Sequence, residues 1–415
     1  MERPHRGAIR ICLAACPALF LLAGTAFGMT LGEAVQRATV HNPAVAGAHE
    51  KYMAAERAGS EIGWVADPVL ALGYKSGGWM ANESMRTLMI DQPIPFPTKT
   101  SGRKSKAGLV AMAEQARYRS QVRMTVKAVK AAYIELLLVN ATIDIYEEDL
   151  EDALAVMESA RQKYETGAAT YHDLAGSRVN ALLAENDLQT LREDDRVKAA
   201  AALRAVLGMS GRETLGDLTL PEVPVMQVKL ESLEVYEASL SPEVDEYRYR
   251  LEAIGEDMSL ARQRYIPDLR LRYWTERKDS DMGEISTNGF MVFFNVPVWF
   301  WNTEASKDAA GHRYGAAESM LKAEVDRVTR DLESAVAAFA ATRGRLVLVE
   351  DEIIPEAEAS YQSAMTAYEN GGIDLASLVA ARDVLRDARL SRARLWAKAA
   401  RGLAEIERLT GLAFY

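Results

Sequence analysis

Apolar residues recur in alternating steps of four and three over a long stretch of the chain. Val122, Val126, Val129, Tyr133, Leu136, Asn140, Ile143, Glu147, Leu150, Leu154, Met157, Arg161 and Tyr164 form one such seam. Val325, Val328, Leu332, Ala335, Phe339, Thr342, Leu346, Val349 and Ile353 form a second. A 3.5-residue hydrophobic period is the mark of helices packed as coiled coils. The first seam predicts a helix from about Lys99 to Glu165, roughly 100 Å long at 1.5 Å per residue. The second predicts a partner from Thr303 toward Glu369, kinked or interrupted at Pro355 because proline removes a backbone hydrogen bond.

A period of two marks four shorter runs. Leu70, Leu72 and Tyr74 alternate with small or polar residues, and Leu88 and Ile90 alternate with Thr87, Met89 and Asp91. Later, Leu269, Leu271 and Tyr273 alternate with Asp268, Arg270 and Arg272, and Phe290, Val292, Phe294 and Val296 follow a loop. These predict hairpins at about 68–95 and 267–298, with one apolar face. Each run is close to the 9–11 residues of a tilted membrane-spanning strand. Hairpins on a soluble core would show the same alternation, but the flanking helices offer no sheet-covering layer. Trp79, Trp274, Trp299, Phe300 and Trp301 cluster at or beyond the strand ends, where aromatic girdles sit. Four strands cannot close a barrel, and an open edge in lipid leaves backbone groups unpaired. A membrane reading therefore requires several copies to pool their strands. In such a barrel Thr87, Asp91, Arg270 and Arg272 face the lumen.

The pattern occurs twice. Leu31-Gly-Glu-Ala-Val ending at Asn42-Pro43 recurs as Leu230-Glu-Ser-Leu-Glu-Val ending at Ser241-Pro242, and Asp67-Pro68 recurs as Ile266-Pro267. Tyr164-x-x-Gly167 recurs as Tyr368-x-x-Gly371, and Leu174 and Arg178 as Leu378 and Arg382. Two similar halves predict two similar units: a first repeat over 29–225 and a second over 226–415, each a helix, two strands, a long helix, a tip and a returning helix. The fold class is mainly α with a small β part. Gly167 and Gly371 are expected as left-handed helix caps, with Thr170 and Asp374 capping the returning helices. Asp173, Arg178, Tyr368 and Asp374 would lie at the tips.

Composition narrows the function. Arg3, Arg6 and Arg10 precede an apolar run from Ile11 to Phe27, and Ala26-Phe27-Gly28 resembles a cleavage site, so residues 1–28 are expected to be a signal peptide. The run is shorter than the roughly 20 residues of a spanning helix. Both cysteines, Cys12 and Cys16, lie within it, leaving no disulfide framework or thiol nucleophile in the mature chain. Lipidation at Cys16 is a second reading, opposed by the apolar residues that follow the cysteine. A formal net charge of -10 with no basic run argues against a nucleic-acid partner. The five histidines, His5, His41, His49, His172 and His312, have no metal-ligand spacing. No phosphate loop, nucleophile elbow or catalytic constellation is present, so neither an enzyme, a cofactor nor a metal is expected.

In this order, and duplicated, these motifs resemble the TolC-type outer-membrane efflux proteins: Leu31-Gly-Glu-Ala-Val…Asn42-Pro43, Asp67-Pro68-Val-Leu, Tyr164-x-x-Gly167, Tyr368-x-x-Gly371 and the twofold repeat, over essentially the whole mature chain. The resemblance implies a homotrimer whose pooled strands form a twelve-stranded barrel in outer-membrane lipid, above a helical tunnel in the periplasm. It implies an adaptor (membrane fusion protein) and an inner-membrane pump of the RND type docking at the tips, and no catalysis by the channel. In the best-known member, an Asp six residues past the first turn glycine bonds a Tyr three residues before the second; the matching Asp173 and Tyr368 would latch the closed tip. That member's Asp rings fall at Ser377 and Ala380 here, so they are not carried over. The stretches Gln92 to Lys99 and Val296 to Asn302 look similar to the heavy-metal branch. Drug efflux or type I secretion would use the same duct. A periplasmic coiled-coil scaffold without a pore is the alternative.

Overall fold

A computed structural model describes residues 29–414 apart from 64, 77–83, 212, 216, 217, 220, 222, 224–240, 281, 282, 297 and 299. The expected signal peptide, Trp79, Trp299, the Leu230 motif and the 225/226 repeat boundary lie outside the described residues.

Thr30 opens α1 (Leu31–His41) with a capping box: its hydroxyl accepts from Glu33 N, and Glu33 accepts from Thr30 N. Asn42 ends α1 and caps α2 (Pro43–Ser60), which starts on a proline. Pro43 costs nothing there, because the first helical N–H has no partner in any helix. Strands β1 (Val69–Ser76) and β2 (Ser84–Ile94) follow, then α3 (Pro97–Glu165), 69 residues long. After the tip, α4 (Tyr171–Thr190) continues through a π-helical turn at Leu191–Asp195 into α5 (Arg196–Val206). The second unit repeats the order with α6 (Pro242–Arg262), capped by Ser241, β3 (Leu269–Ser280), β4 (Gly283–Phe294) and α7 (Phe300–Leu348). A π turn at Val349–Ile353 leads into α8 (Ile354–Glu369), and α9 (Leu375–Thr410) returns.

The strands form one antiparallel meander in the order β1-β2-β3-β4. Beneath it, α2 packs on α3, α3 on α6 and α6 on α7, in the same order as the strands above them. Further down, α3 packs against α4 and α5 on one side and α9 on the other, and α9 packs on α7 and α8. The long helix α3 thus serves both halves of the molecule.

Cores lie where these partners change. Leu31, Val129, Tyr133, Leu136, Leu203 and Leu207 join α1, α3 and α5. Val244, Val328, Phe339, Leu346, Leu403 and Ile406 join α6, α7 and α9. Nearer the tips, Val156, Tyr361, Tyr368, Leu375, Leu378 and Leu385 form a third.

Two expectations need correction. The first seam holds for Val129, Tyr133, Leu136 and Ile143, but the buried line then moves to Asp149, Ala153, Val156 and Ala160, leaving Leu154 and Tyr164 exposed. A straight helix has 3.6 residues per turn, so a 3.5-residue pattern drifts around it, and α3 changes partners over its length. The second seam holds to Val349, whereas Ile353 is exposed. The interruption expected at Pro355 falls just before it, as the π turn Val349–Ile353 between α7 and α8. This turn inserts one residue, and the buried set resumes one position later at Ala357, Tyr361 and Tyr368.

Candidate functional site: the strand face and the helix tips

Register places the four lumen candidates on one sheet face. Asp91 lies opposite Arg272, and Thr87 opposite Glu276 and Gly73; directly opposed residues share a face. Asp91 Oδ2 accepts from Arg272 Nη2 at 2.5 Å and Nε at 3.2 Å. Arg270 Nε lies 3.6 Å from the other carboxylate oxygen. One carboxylate thus serves two guanidiniums. Arg272 also stacks 4.7 Å over the Phe293 ring. Thr87 lies four register pairs further toward the hairpin end, apart from this cluster. On the same face the Trp274 indole covers Gly289 across the strand pair, where any Cβ would collide with the ring.

The opposite face is apolar in its half nearer the helices, while Arg86, Arg277, Asp279 and Glu284 make it charged toward the hairpin ends. Leu70, Ile90, Tyr273 and Phe290 stand in one cross-strand row, Leu271 pairs with Val292, and Leu269 with both Ile94 and Phe294. Leu72 and Tyr74 are 78% and 71% exposed. Val296, Val298 and Trp301 extend the exposed apolar surface below the sheet. A continuous apolar face of this extent marks a surface that meets lipid or protein. The outer edges of β1 and β4 have no strand partner among the described residues. Among the described residues no helix is long and apolar enough to cross a membrane.

At the tips the repeated sequence makes the same turn twice. Gly167 and Gly371 have φ of 77° and 76°. Ala168 N donates to Lys163 O and Gly167 N to Tyr164 O; Gly372 N donates to Ala367 O and Gly371 N to Tyr368 O, at matching distances of 2.7 and 3.0 Å. Both ends are Schellman caps, for which a left-handed glycine is required. Thr170 caps α4 and Asp374 caps α9, the latter accepting from Ser377 N at 2.9 Å.

Asp173 completes a capping box with Thr170. Its Oδ2 accepts from Thr170 N at 3.0 Å and from Thr170 Oγ1 at 2.7 Å, which holds its carboxyl below the ordinary range. Tyr368 is buried, and its hydroxyl has no hydrogen-bond partner among the described residues. Burial, then the charge of Asp173, pushes its pKa up. The two residues are therefore neighbours, but the structure does not join them by a hydrogen bond: Thr170 holds Asp173 Oδ2, and the Tyr368 hydroxyl does not reach the carboxylate. Lys163 spans the tip instead: its ammonium lies 4.1 Å over the Tyr368 ring and donates to the Tyr368 carbonyl.

The halves differ in burial. Tyr164 is exposed and stacks edge-on against Tyr171, 6.1 Å away, whereas Tyr368 is buried. Arg178 is exposed, whereas its counterpart Arg382 is buried and lies 3.3 Å from the buried Asp149. Arg386 approaches the same carboxylate at 3.6 Å. Sequence reasoning missed this charged layer. Its signal was present: Arg382 interrupts the stripe Leu375, Leu378, Leu385.

The family model for outer membrane efflux proteins matches residues 71–209 and 237–412. The chain belongs to the outer membrane efflux protein family. As a member, it is an efflux exit duct of the outer membrane with its helices in the periplasm. Solved channels share the fold at low identity. The outer-membrane channel OprN is 16% identical, with TM-score 0.78 over 92% of this chain and 90% of that one. VceC from Vibrio cholerae is 16% identical, with TM-score 0.76 over 93% and 97%. CusC is 16% identical, with TM-score 0.77 over 92% of both chains. No curated protein matches. The family is one of channels rather than enzymes.

Proposed function

We propose that three copies of this efflux protein pool their sheets into a twelve-stranded barrel, and that their helices continue it as a duct through the periplasm. The observation that carries this reading is the sheet itself: a face that is exposed and apolar nearer the helices, a charged opposite face, and two edges unpaired among the described residues. Lipid admits no open edge, so β1 of one copy pairs with β4 of the next. The helical layer supports the same closure. Its outer helices expose apolar side chains, Val179, Leu182, Leu183 and Val197 on one flank and Met320, Leu348 and Ile353 on the other.

In this reading the tips form the periplasmic entrance. A cleft of about 360 Å³ between α4 and α9, lined by His172, Asp173, Asn180 and Val379, suits docking of a helical hairpin from a periplasmic adaptor. An inner-membrane pump of the RND type then supplies cargo and energy. Gly167, Thr170, Asp173, Tyr368, Gly371 and Asp374 shape the gate, and Arg178 lies on its open flank. The strand-end stretches support a place near the heavy-metal branch. Among the described residues no cluster suited to holding a metal is present, and a conduit needs none.

Fractionation tests the reading. The protein should sediment with outer membranes and require detergent for release, and conduct ions in planar bilayers. Recovery as a soluble protein after osmotic shock would leave only the periplasmic scaffold.

A further inference from the structure

Directly beneath the sheet, α3, α6 and α7 enclose a cleft of about 910 Å³. Five cations line it: Lys99, Arg103, Lys106, Arg264 and Arg313. It holds two carboxylates, and a lysine claims each. Lys99 Nζ donates to Asp268 Oδ1 at 2.9 Å, and Lys106 pairs with Asp257 at 2.7 Å. Arg103, Arg264 and Arg313 are exposed and have no carboxylate in ion-pair range among the described residues. Arg264 donates only to a neutral group, the Ser306 hydroxyl, at 2.5 Å.

This cleft continues upward. A second one, of about 530 Å³, shares Arg103, Asp268 and Asn295 with it and reaches Arg270 and Phe293. Those two belong to the sheet face that carries Asp91, the face a barrel turns inward. Arg270 shares Asp91 with Arg272, so positive charge exceeds negative there as well. A surface with more cations than carboxylates therefore runs from the strand face down onto the helices.

We propose that this surface makes the junction of barrel and helical tunnel an anion-attracting ring, and that the duct favours anionic cargo: oxyanions, organic carboxylates and phosphates, or a metal carried as an anionic complex rather than as a bare cation. The inference rests on the trimeric duct reading, which repeats the surface three times around one lumen. A concave site lined by one sign of charge focuses its field and concentrates counter-ions. Arginine forks match carboxylate and phosphate geometry, and the strand arginines at the inward face continue the field along the path of transit.

Reversal potentials across a potassium chloride gradient in planar bilayers test it. The wild type should prefer chloride. The preference should shrink in molar salt, where screening shortens to about 3 Å. The triple variant Arg103→Gln/Arg264→Gln/Arg313→Gln should shift toward potassium, and the corresponding triple Lys variant should keep the wild-type preference. Potassium preference in the wild type, or a reversal potential unmoved by the Gln variant, would overturn the proposal. A wild type that carries no current would defeat the duct reading instead. The ring is then judged by fluorescence anisotropy with a trisulfonated pyrene dye on the detergent-solubilised protein. Saturable, salt-sensitive binding lost in the Gln variant supports the ring, and absence of binding overturns it.

Discussion

Arg382 and Asp149 face each other at 3.3 Å inside the helical layer, each about 95% or more buried, one on α9 and the other on α3. Arg386 at 3.6 Å shares the carboxylate, and Tyr361 and Asp152 border the same layer. Burial outweighs the attraction of the two arginines and raises the Asp149 pKa. Removing Arg382 leaves the buried carboxylate with Arg386 alone, 3.6 Å away, so Arg382→Met should lower stability by about 3 kcal/mol, the low end for a broken buried pair. The double variant Asp149→Leu/Arg382→Met should recover most of that loss. Thermal melting of the four proteins of this cycle measures both effects; equal losses in the single and double variants would show that the pair is not coupled.

The pH dependence of this layer runs opposite to that of the tips. With its folded pKa above the ordinary 3.8, Asp149 binds its proton more tightly in the folded chain, so its contribution falls as pH rises from 3.8 through the raised value. Asp173 and Asp374 are held below 3.8 by hydrogen bonds from Thr170 and Ser377. Their caps are intact above 3.8 and are lost as pH falls through the lowered values. Protection factors, corrected for the intrinsic exchange rate, should fall at amides 167–175 and 371–378 on acidification below 3.8, before those of the Asp149 layer. Uniform protection across both regions would contradict the assignment.

Gly167→Ala and Gly371→Ala should each cost about 1–2 kcal/mol, since a Cβ is strained at these left-handed positions. Nothing else crowds either site, so the two losses should be similar in thermal melts. A neutral Gly167→Ala would mean the first tip is not held in this cap.

Gly289→Val should disrupt the sheet. The Trp274 ring occupies the space of the missing side chain, so it must swing away and break the packing of β3 on β4. The variant should yield less heat-resistant oligomer on gels, with altered tryptophan emission. Trp274→Ala/Gly289→Val should restore assembly, because the obstruction is gone.

Much of this molecule was legible in its residues, because each element carries its own local signal. The caps at Thr170 and Asp374 and the left-handed glycines follow from backbone chemistry that operates within four or five residues. Strand faces follow from a period of two, which fixes Asp91, Arg270 and Arg272 on one side. What could not be read were contacts between distant segments. The drift of the seam from Ile143 to Asp149 depends on which helix α3 meets at each height. The π turn at Val349–Ile353 shifts burial from Ile353 onward without any marker except the nearby Pro355. The different fates of Tyr164 and Tyr368 arise because α9 has helices on both sides and α4 lies at the flank of the layer. Asp173 was legible as a tip residue, but its capping box with Thr170 was not.

The central claim is that one copy cannot seal its own strands. The molar mass of the mature protein in mild detergent, from light scattering corrected for bound detergent, tests it most directly. A mass of three chains is expected, with the edges of β1 and β4 paired and only the lumen-facing side of the strands open to water-soluble quenchers. A single-chain mass with β1 and β4 freely exposed to water would contradict it.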